Sequence, residues 1–408
     1  MAGMPEHDRA GTLRLATRVA AMAPSPTVSL DGRVKELRSQ GVDIINFTAG
    51  EPDFPTPEPI KAAARAGLDA ELTKYTPVAG TPDLRRAITA KLARENGLTY
   101  DPAEVVVSAG GKHVLYNAFM VLCDPGDEVI IPSPYWVSYP EQVRLAGATP
   151  VFVPTDPDRG FHVDPDAVAR AVTPRTRAVV LNSPNNPTGA VMTADELAAI
   201  AALARRHDLW VISDEIYEHL VYDGRRHVSI AGMEGMKERT VLVNGLSKAY
   251  AMTGWRVGYA AAPRPVAQAM TALQGHVTSG IPGFTQAAAV AALEGPIDVV
   301  QAMAAEYDRR RRHVIGRLEA MPGVRCATPE GAFYVFMDVS ALLGRSEDID
   351  TDLDLAAYLL EQARVAVVPG AGFGWQGALR LSYATSLEQI DEGLNRLERA
   401  FRSLTGDR

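Results

Sequence analysis

Seven short apolar runs punctuate the middle of the chain, at 104–107, 128–131, 150–153, 178–181, 209–212, 241–243 and 257–260. Several are continuously apolar rather than alternating. That marks strands buried on both faces, as in a mostly parallel sheet. Between them lie stretches with a helical period. Residues 112–122 form one, and another opens at Thr193, with Glu196 completing a capping box and Leu197, Ile200 and Leu203 following. Strand and helix in alternation predict a doubly wound α/β domain.

The pattern changes towards the C-terminus. Residues 331–338, 365–368 and 378–382 read as strands. The chain closes on an amphipathic helix capped by Ser386, with Leu387, Ile390, Leu394, Leu397 and Phe401 on its apolar stripe. This predicts a smaller α+β domain, joined to the first by a long helix over 297–321 that is rich in charge at 309–312. The expected division is a large domain over 51–296, a small domain over 297–408, and an N-terminal segment, 1–50, that packs with the small domain.

Composition narrows the function classes. At 408 residues the chain holds roughly two or three domains. A net charge of -8 makes it a poor partner for nucleic acid or an anionic membrane. No apolar run approaches the ~20 residues of a membrane span. Arg14 and Arg18 interrupt the apolar start, which excludes a secretory signal, and Glu6 and Asp8 argue against a transit peptide. Cys123 and Cys326 are too far apart in sequence to suggest a disulfide framework or a metal site, so a reducing, cytoplasmic setting is expected and no metal is.

Ligands of open α/β sheets bind at the carboxyl ends of the strands. Five predicted strands here run into unusual polar or glycine-rich segments. These begin at Ser108 (through Gly110, Gly111 and Lys112), at Pro132 (through Trp136), at Asn182 (through Asn186 and Gly189), at Ser213 (through Asp214 and Tyr217) and at Asn244 (through Ser247 and Lys248). Gly110-Gly111 reads either as a tight turn or as a backbone approach to a phosphate at a helix start. Asp214 ends an apolar strand, so it is a cap, a structural ion pair or a working carboxylate. Lys248 reads as a solvated lysine or as an amine that can lose its proton and attack a carbonyl.

Taken together, Asn186-Pro187-Thr188-Gly189, Ser213-Asp214-Glu215-Ile216-Tyr217 and Ser247-Lys248-Ala249-Tyr250-Ala251-Met252-Thr253-Gly254-Trp255-Arg256 resemble the class I pyridoxal-phosphate (PLP) aminotransferases of fold type I, and among them the bacterial aspartate aminotransferases. The likeness runs from Gly50-Glu51-Pro52-Asp53 to Arg380-Leu381-Ser382-Tyr383, most of the chain. It implies a large domain with a mostly parallel seven-stranded sheet. It implies that Lys248 carries the cofactor as a Schiff base and moves the Cα proton. Asp214 then pairs with the pyridine nitrogen, and Asn186 and Tyr217 with the ring oxygen. Trp136 stacks on the ring. Arg256, Ser247 and the backbone of Gly110, Gly111 and Lys112 hold the phosphate, and Tyr75 reaches it from a partner subunit. Arg380 clamps the substrate α-carboxylate, with the Gly50 backbone beside it. The resemblance thus implies a homodimer with shared sites.

On the same resemblance, Lys112, Ser25 and Thr27 serve a second, distal carboxylate, which points to aspartate as donor and 2-oxoglutarate as acceptor. Three departures stand out. Gly245 replaces a hydroxyl residue common in relatives, and Ala23 stands where relatives that use prephenate carry a basic residue. Gly280, Pro282 and Gly283 replace a Ser/Thr-rich stretch in the segment 274–286, which is expected to reach the partner's site. Aromatic or other specialised amino acids are therefore an alternative substrate class. A lyase or oxidase on the same scaffold is an alternative chemistry. A DNA-binding regulator would need a module ahead of the fold, and about 50 residues precede the Gly50 motif.

Overall fold

The computed structural model describes residues 16–20, 22 and 26–406. Its main sheet has seven strands, in the spatial order Val105–Ala109, Val257–Ala261, Thr240–Gly245, Trp210–Asp214, Thr176–Asn182, Glu128–Ser133 and Thr149–Pro154. Only Val257–Ala261 runs antiparallel to its neighbours. All seven apolar runs became strands, shifted by a residue or two at their ends. The strand interiors are apolar because the sheet is packed on both faces. Val106, Ile131, Val180 and Val241 lie in one buried cluster, and Val105, Val107, Leu242 and Val257 in another.

The capping box at Thr193 is present. Thr193 Oγ1 accepts from the Glu196 amide at 3.2 Å, and Glu196 Oε2 accepts from the Thr193 amide at 2.6 Å. It opens helix Ala194–Arg206, whose Leu197, Ile200 and Leu203 are buried.

A second sheet of four strands contains Tyr334–Asp338 and Ala378–Ser382 as its antiparallel centre. Two strand expectations need correction. The run 365–368 serves two sheets: Val365–Ala366 pairs in parallel with Ile45–Asn46, and Val368–Pro369 pairs with Ala378–Ser382. All four residues from Val365 to Val368 are buried, so the continuous apolar pattern is real, but the chain changes partners within it. The run 331–338 starts late, because Ala332 adopts φ 57° and turns the chain before Tyr334.

Helix Asp298–Leu318 occupies the expected long stretch. Its charges are not all on the surface: Arg310 and Arg311 are buried, Arg310 on Asp53 at 2.8 Å and Arg311 on Asp223 at 2.8 Å. The terminal helix Leu387–Thr405 is capped by Ser386 and buries Ile390, Leu394, Leu397 and Phe401, each contributing roughly 1.5–3 kcal/mol. Gly393 in the same helix lets it close on Phe47, since an added Cβ would lie 2.3 Å from that ring. Phe47 is thereby fixed, and the next residue, Thr48, enters the site described below.

Candidate active site

The carboxyl ends of the strands open into a cavity of about 460 Å³. It is lined by Gly50, Gly111, Lys112, Trp136, Asn186, Asp214, Tyr217, Ser247, Lys248, Arg256 and Arg380 together, drawn from segments up to 330 residues apart in sequence (Gly50 to Arg380). All five polar segments that follow strands contribute to it.

One wall is a helix start. Gly110 precedes helix Gly111–Leu122 with φ 84°, a conformation that suits glycine. The Arg256 guanidinium lies against it, so a Cβ on Gly110 would sit 2.5 Å from Arg256 Nη2. Gly258 allows the neighbouring strand to approach, since a Cβ there would be 2.3 Å from the Gly111 amide nitrogen. Arg256 itself donates to backbone carbonyls, Thr253 at 2.9 Å and Ala109 at 3.2 Å. Among the described residues it has no carboxylate partner. First-turn amides, Ser247 and an unpaired guanidinium make a wall suited to an anion. Gly245, three residues before Lys248, has its own cause: a Cβ there would meet the Val257 carbonyl oxygen at 2.7 Å.

The Lys248 amine donates to the Gly50 carbonyl and lies 5.8 Å from the centre of the Tyr217 ring. Burial, followed by the positive charge of Arg380, lowers its pKa to about 8. Asp214 is buried at the end of its strand. Tyr139 donates to its Oδ2 at 2.7 Å, and the Ile216 amide to its Oδ1 at 3.3 Å. Burial still raises its pKa to about 6. The Tyr217 hydroxyl shares a hydrogen bond with Tyr334 at 2.8 Å.

Arg380 is buried, yet has no carboxylate partner among the described residues. Its Nη1 donates to Asn186 Oδ1 at 3.0 Å, its Nη2 to the Thr48 carbonyl at 2.8 Å, and its Nε has no partner. The rings of Tyr334 and Phe373 lie 4.4 and 5.0 Å from the guanidinium carbon. A buried guanidinium held by neutral groups on two sides is poised to take a carboxylate on the third. The Lys112 amine stands over the Trp136 ring, 5.0 Å from its centre, and has no carboxylate partner among the described residues.

Among the described side chains, one that was expected here, Tyr75, is not brought into this cavity. Tyr75 is 99% exposed on the surface. Ser25 lies outside the described residues, as does the Thr27 side chain, although Thr27 falls in helix Pro26–Ser39. The glycines at 280 and 283 have a packing cause. A Cβ on Gly280 would lie 2.3 Å from Thr76 Oγ1, and one on Gly283 would lie 2.8 Å from the Leu72 carbonyl oxygen. Sequence reasoning missed Thr48, Tyr139, Asn182 and Tyr334. Asn182 opens one of the polar strand-end segments but was given no role there, and Tyr139 and Tyr334 carry no local motif; Tyr139 follows Trp136 by three residues, a spacing that places both on one side of a helical turn.

Residues 42–397 match the family model for aminotransferase class I and II. This chain belongs to that family. The aminotransferase is 47% identical over 390 residues to the aspartate aminotransferase of Geobacillus stearothermophilus, covering 95% of this chain and 98% of that one. It is 49% identical over 388 residues to the aspartate/prephenate aminotransferase of Thermus thermophilus, covering 94% and 98%. The structure of aspartate aminotransferase from Thermus thermophilus with maleate superposes with a TM-score of 0.90 at 48% identity, over 95% of this chain and 100% of that chain. An aromatic aminotransferase from Pyrococcus horikoshii gives 0.85 at 42% identity, over 91% and 100%. The aminotransferase therefore has the fold-type I α/β architecture that the motifs implied, and it is a transaminase rather than a lyase, an oxidase or a DNA-binding regulator.

Proposed function

We propose that this transaminase uses PLP and moves the amino group of L-aspartate to 2-oxoglutarate. The observation that carries the reading is the meeting in one cavity of an amine whose pKa is lowered to about 8, Lys248, a buried carboxylate, Asp214, and two guanidinium groups without carboxylate partners among the described residues, Arg256 and Arg380. The cradle at Gly110, which a single Cβ would fill, and the unpartnered Nε of Arg380 fit a phosphorylated cofactor and a carboxylate substrate.

In this reading the amides of Gly110, Gly111 and Lys112, with Ser247 and Arg256, hold the phosphate. Asp214 would pair with the ring nitrogen, Asn186 and Tyr217 with the ring oxygen, and Trp136 would cover the ring. When bound, the group supplies an electron sink for the pair left as the substrate Cα loses its proton. Lys248 anchors the group through its amine and, once released, accepts that proton and returns it. Arg380 binds the α-carboxylate, beside the Gly50 backbone, and orients the Cα–H bond. Lys112 receives the distal carboxylate, aided by Ser25 and Thr27.

The same reading makes the enzyme a homodimer. Leu68, Leu72 and Val277 are exposed apolar residues around Tyr75, a surface suited to a second copy that receives Tyr75 in its phosphate site. The 274–286 segment would enter that copy as well. Residues 51–296 form the cofactor domain and 297–408 the small one, joined by the described part of the segment 1–50; the rest of that segment lies outside the described residues. Free Cys123 and Cys326 fit a reducing cytoplasm.

An aromatic donor is a second reading, favoured by the rings of Trp136, Tyr139 and Tyr334 in the lining. The test is a half-reaction. Loss of the visible cofactor band on adding L-aspartate, reversed by 2-oxoglutarate, supports the first reading. Loss with phenylalanine or tyrosine but not aspartate supports the second. A protein that acquires no visible band on adding PLP overturns both.

A further inference from the structure

Behind the cavity, on the far side of the turn that carries Asp214 and Tyr217, lies a buried polar network with no part in the chemistry above. Asp214 and Tyr217 line the cavity, whereas Glu215 and Glu218 are buried away from it. Glu218 takes three donors. Lys91, which is 1% exposed, and Asn244 Nδ2, at 2.7 Å, donate to Oε1; Asn96 Nδ2 donates to Oε2 at 2.7 Å. Lys91 also donates to Asn96 Oδ1 at 2.8 Å, closing a ring of contacts.

Asn244 gives the network its reach. It sits near the end of strand Thr240–Gly245, four residues before Lys248, and its Oδ1 accepts the Gly245 amide at 2.7 Å. One carboxylate therefore joins the turn bearing Asp214 and Tyr217 to the strand end that leads to Lys248, and both to helix Pro82–Asn96. Glu215 is held separately, by Ser213 at 2.9 Å, Ser229 at 2.7 Å and His227 at 2.9 Å. Ligating atoms of Glu215, Glu218 and His227 lie within 4.8 Å of one another, a spacing that suits a metal ion. The Lys91 ammonium already occupies the cation position on Glu218, so the group reads as a clamp.

We infer that Glu218 is a positioning residue for transamination, fixing Asp214 and Tyr217 relative to Lys248. The inference rests on the PLP reading above. A buried ion pair is a weak source of net stability, whereas breaking one is costly. The value of this one lies in registering two strand ends, and a misplacement of about 1 Å at such a site costs roughly 10²-fold in rate.

Two variants of the PLP-loaded enzyme test it. Glu218→Gln removes the charge, and Asn244→Ala cuts the link to the Lys248 strand while leaving the Lys91–Glu218 pair intact. The expected result for both is a kcat lower by roughly 10²-fold, an aspartate KM that changes little, and a shifted pH midpoint of the bound-cofactor absorbance. If Glu218→Gln does not fold, Asn244→Ala is read by the same three quantities. Folded variants with a reduced thermal midpoint but the wild-type kcat and absorbance midpoint would overturn the inference and leave the network a purely structural one. The wild-type enzyme in the same assay guards the premise: its failure to take up PLP would sink the cofactor reading instead.

Discussion

The Tyr139 hydroxyl donates to Asp214 Oδ2 at 2.7 Å, across 75 residues of sequence, and is the sole side-chain donor to that carboxylate among the described residues. It opposes the burial that raises the Asp214 pKa to about 6. Tyr139→Phe is expected to raise that pKa further and weaken PLP binding roughly tenfold, the scale of one hydrogen bond to a charged group. Titration of the cofactor-free protein with PLP measures it. The folded pKa lies above the ordinary 3.8, so the cofactor-free protein loses stability as pH rises between 3.8 and about 6. Thermal midpoints of Asp214→Asn should lack that slope.

Lys248 carries the opposite signature. Its amine titrates at about 8 instead of 10.5, so the folded state holds fewer protons than the unfolded state between those values. Stability of the cofactor-free protein should therefore rise with pH across that window and be lowest below about 8. The rate of PLP capture should rise with pH and level off above about 8, as the neutral amine becomes dominant. A midpoint near 10.5 in stopped-flow absorbance would show that Lys248 is not the capturing amine, or is not buried as described.

Lys112 and Arg380 separate the two ends of a dicarboxylate. Lys112→Ala is expected to lower kcat/KM for aspartate by about 2 kcal/mol, roughly 30-fold, and to spare phenylalanine. Arg380→Lys should harm every amino acid, because an ammonium cannot reproduce the fork that holds Asn186, Thr48 and a carboxylate together. Equal losses for aspartate and phenylalanine in Lys112→Ala would remove Lys112 from the distal site.

His162 bridges Glu196, at 2.9 Å, and Glu330, at 3.3 Å, and these hydrogen bonds push its pKa up to about 9. The stabilisation is complete below 6.5 and is lost as pH rises through about 9. On the order of 2 kcal/mol is expected after solvent screening. The gap in thermal midpoint between wild type and His162→Gln should shrink as pH climbs through that range. A constant gap would show that the charge on His162 does not hold the contact.

Much of this site was legible in sequence because glycine, proline and polar clusters interrupt apolar strands, and strand ends in an open sheet share one edge. Eleven expected residues, from Gly50 to Arg380, line a single cavity for that reason. What escaped reading were partners chosen by tertiary packing. Tyr334 opens an apolar strand, and its bond to Tyr217 spans 117 residues. The burial of Arg310 and Arg311 was not legible either, since a helix sequence does not reveal that Asp53 and Asp223 meet two of its arginines. The run 365–368 had the right burial but the wrong count of sheets, because apolar pattern carries no information on where a strand changes neighbours.

The hold on Arg380 has a consequence for recombination. The arginine comes from strand Ala378–Ser382, but its two holders, Thr48 and Asn186, come from the opening and middle of the chain. A chimera that inherits only its last hundred residues from another parent would receive the carboxylate receptor without the groups that aim it. The hold on the α-carboxylate should therefore travel between relatives as three separate segments, not as one exchangeable module.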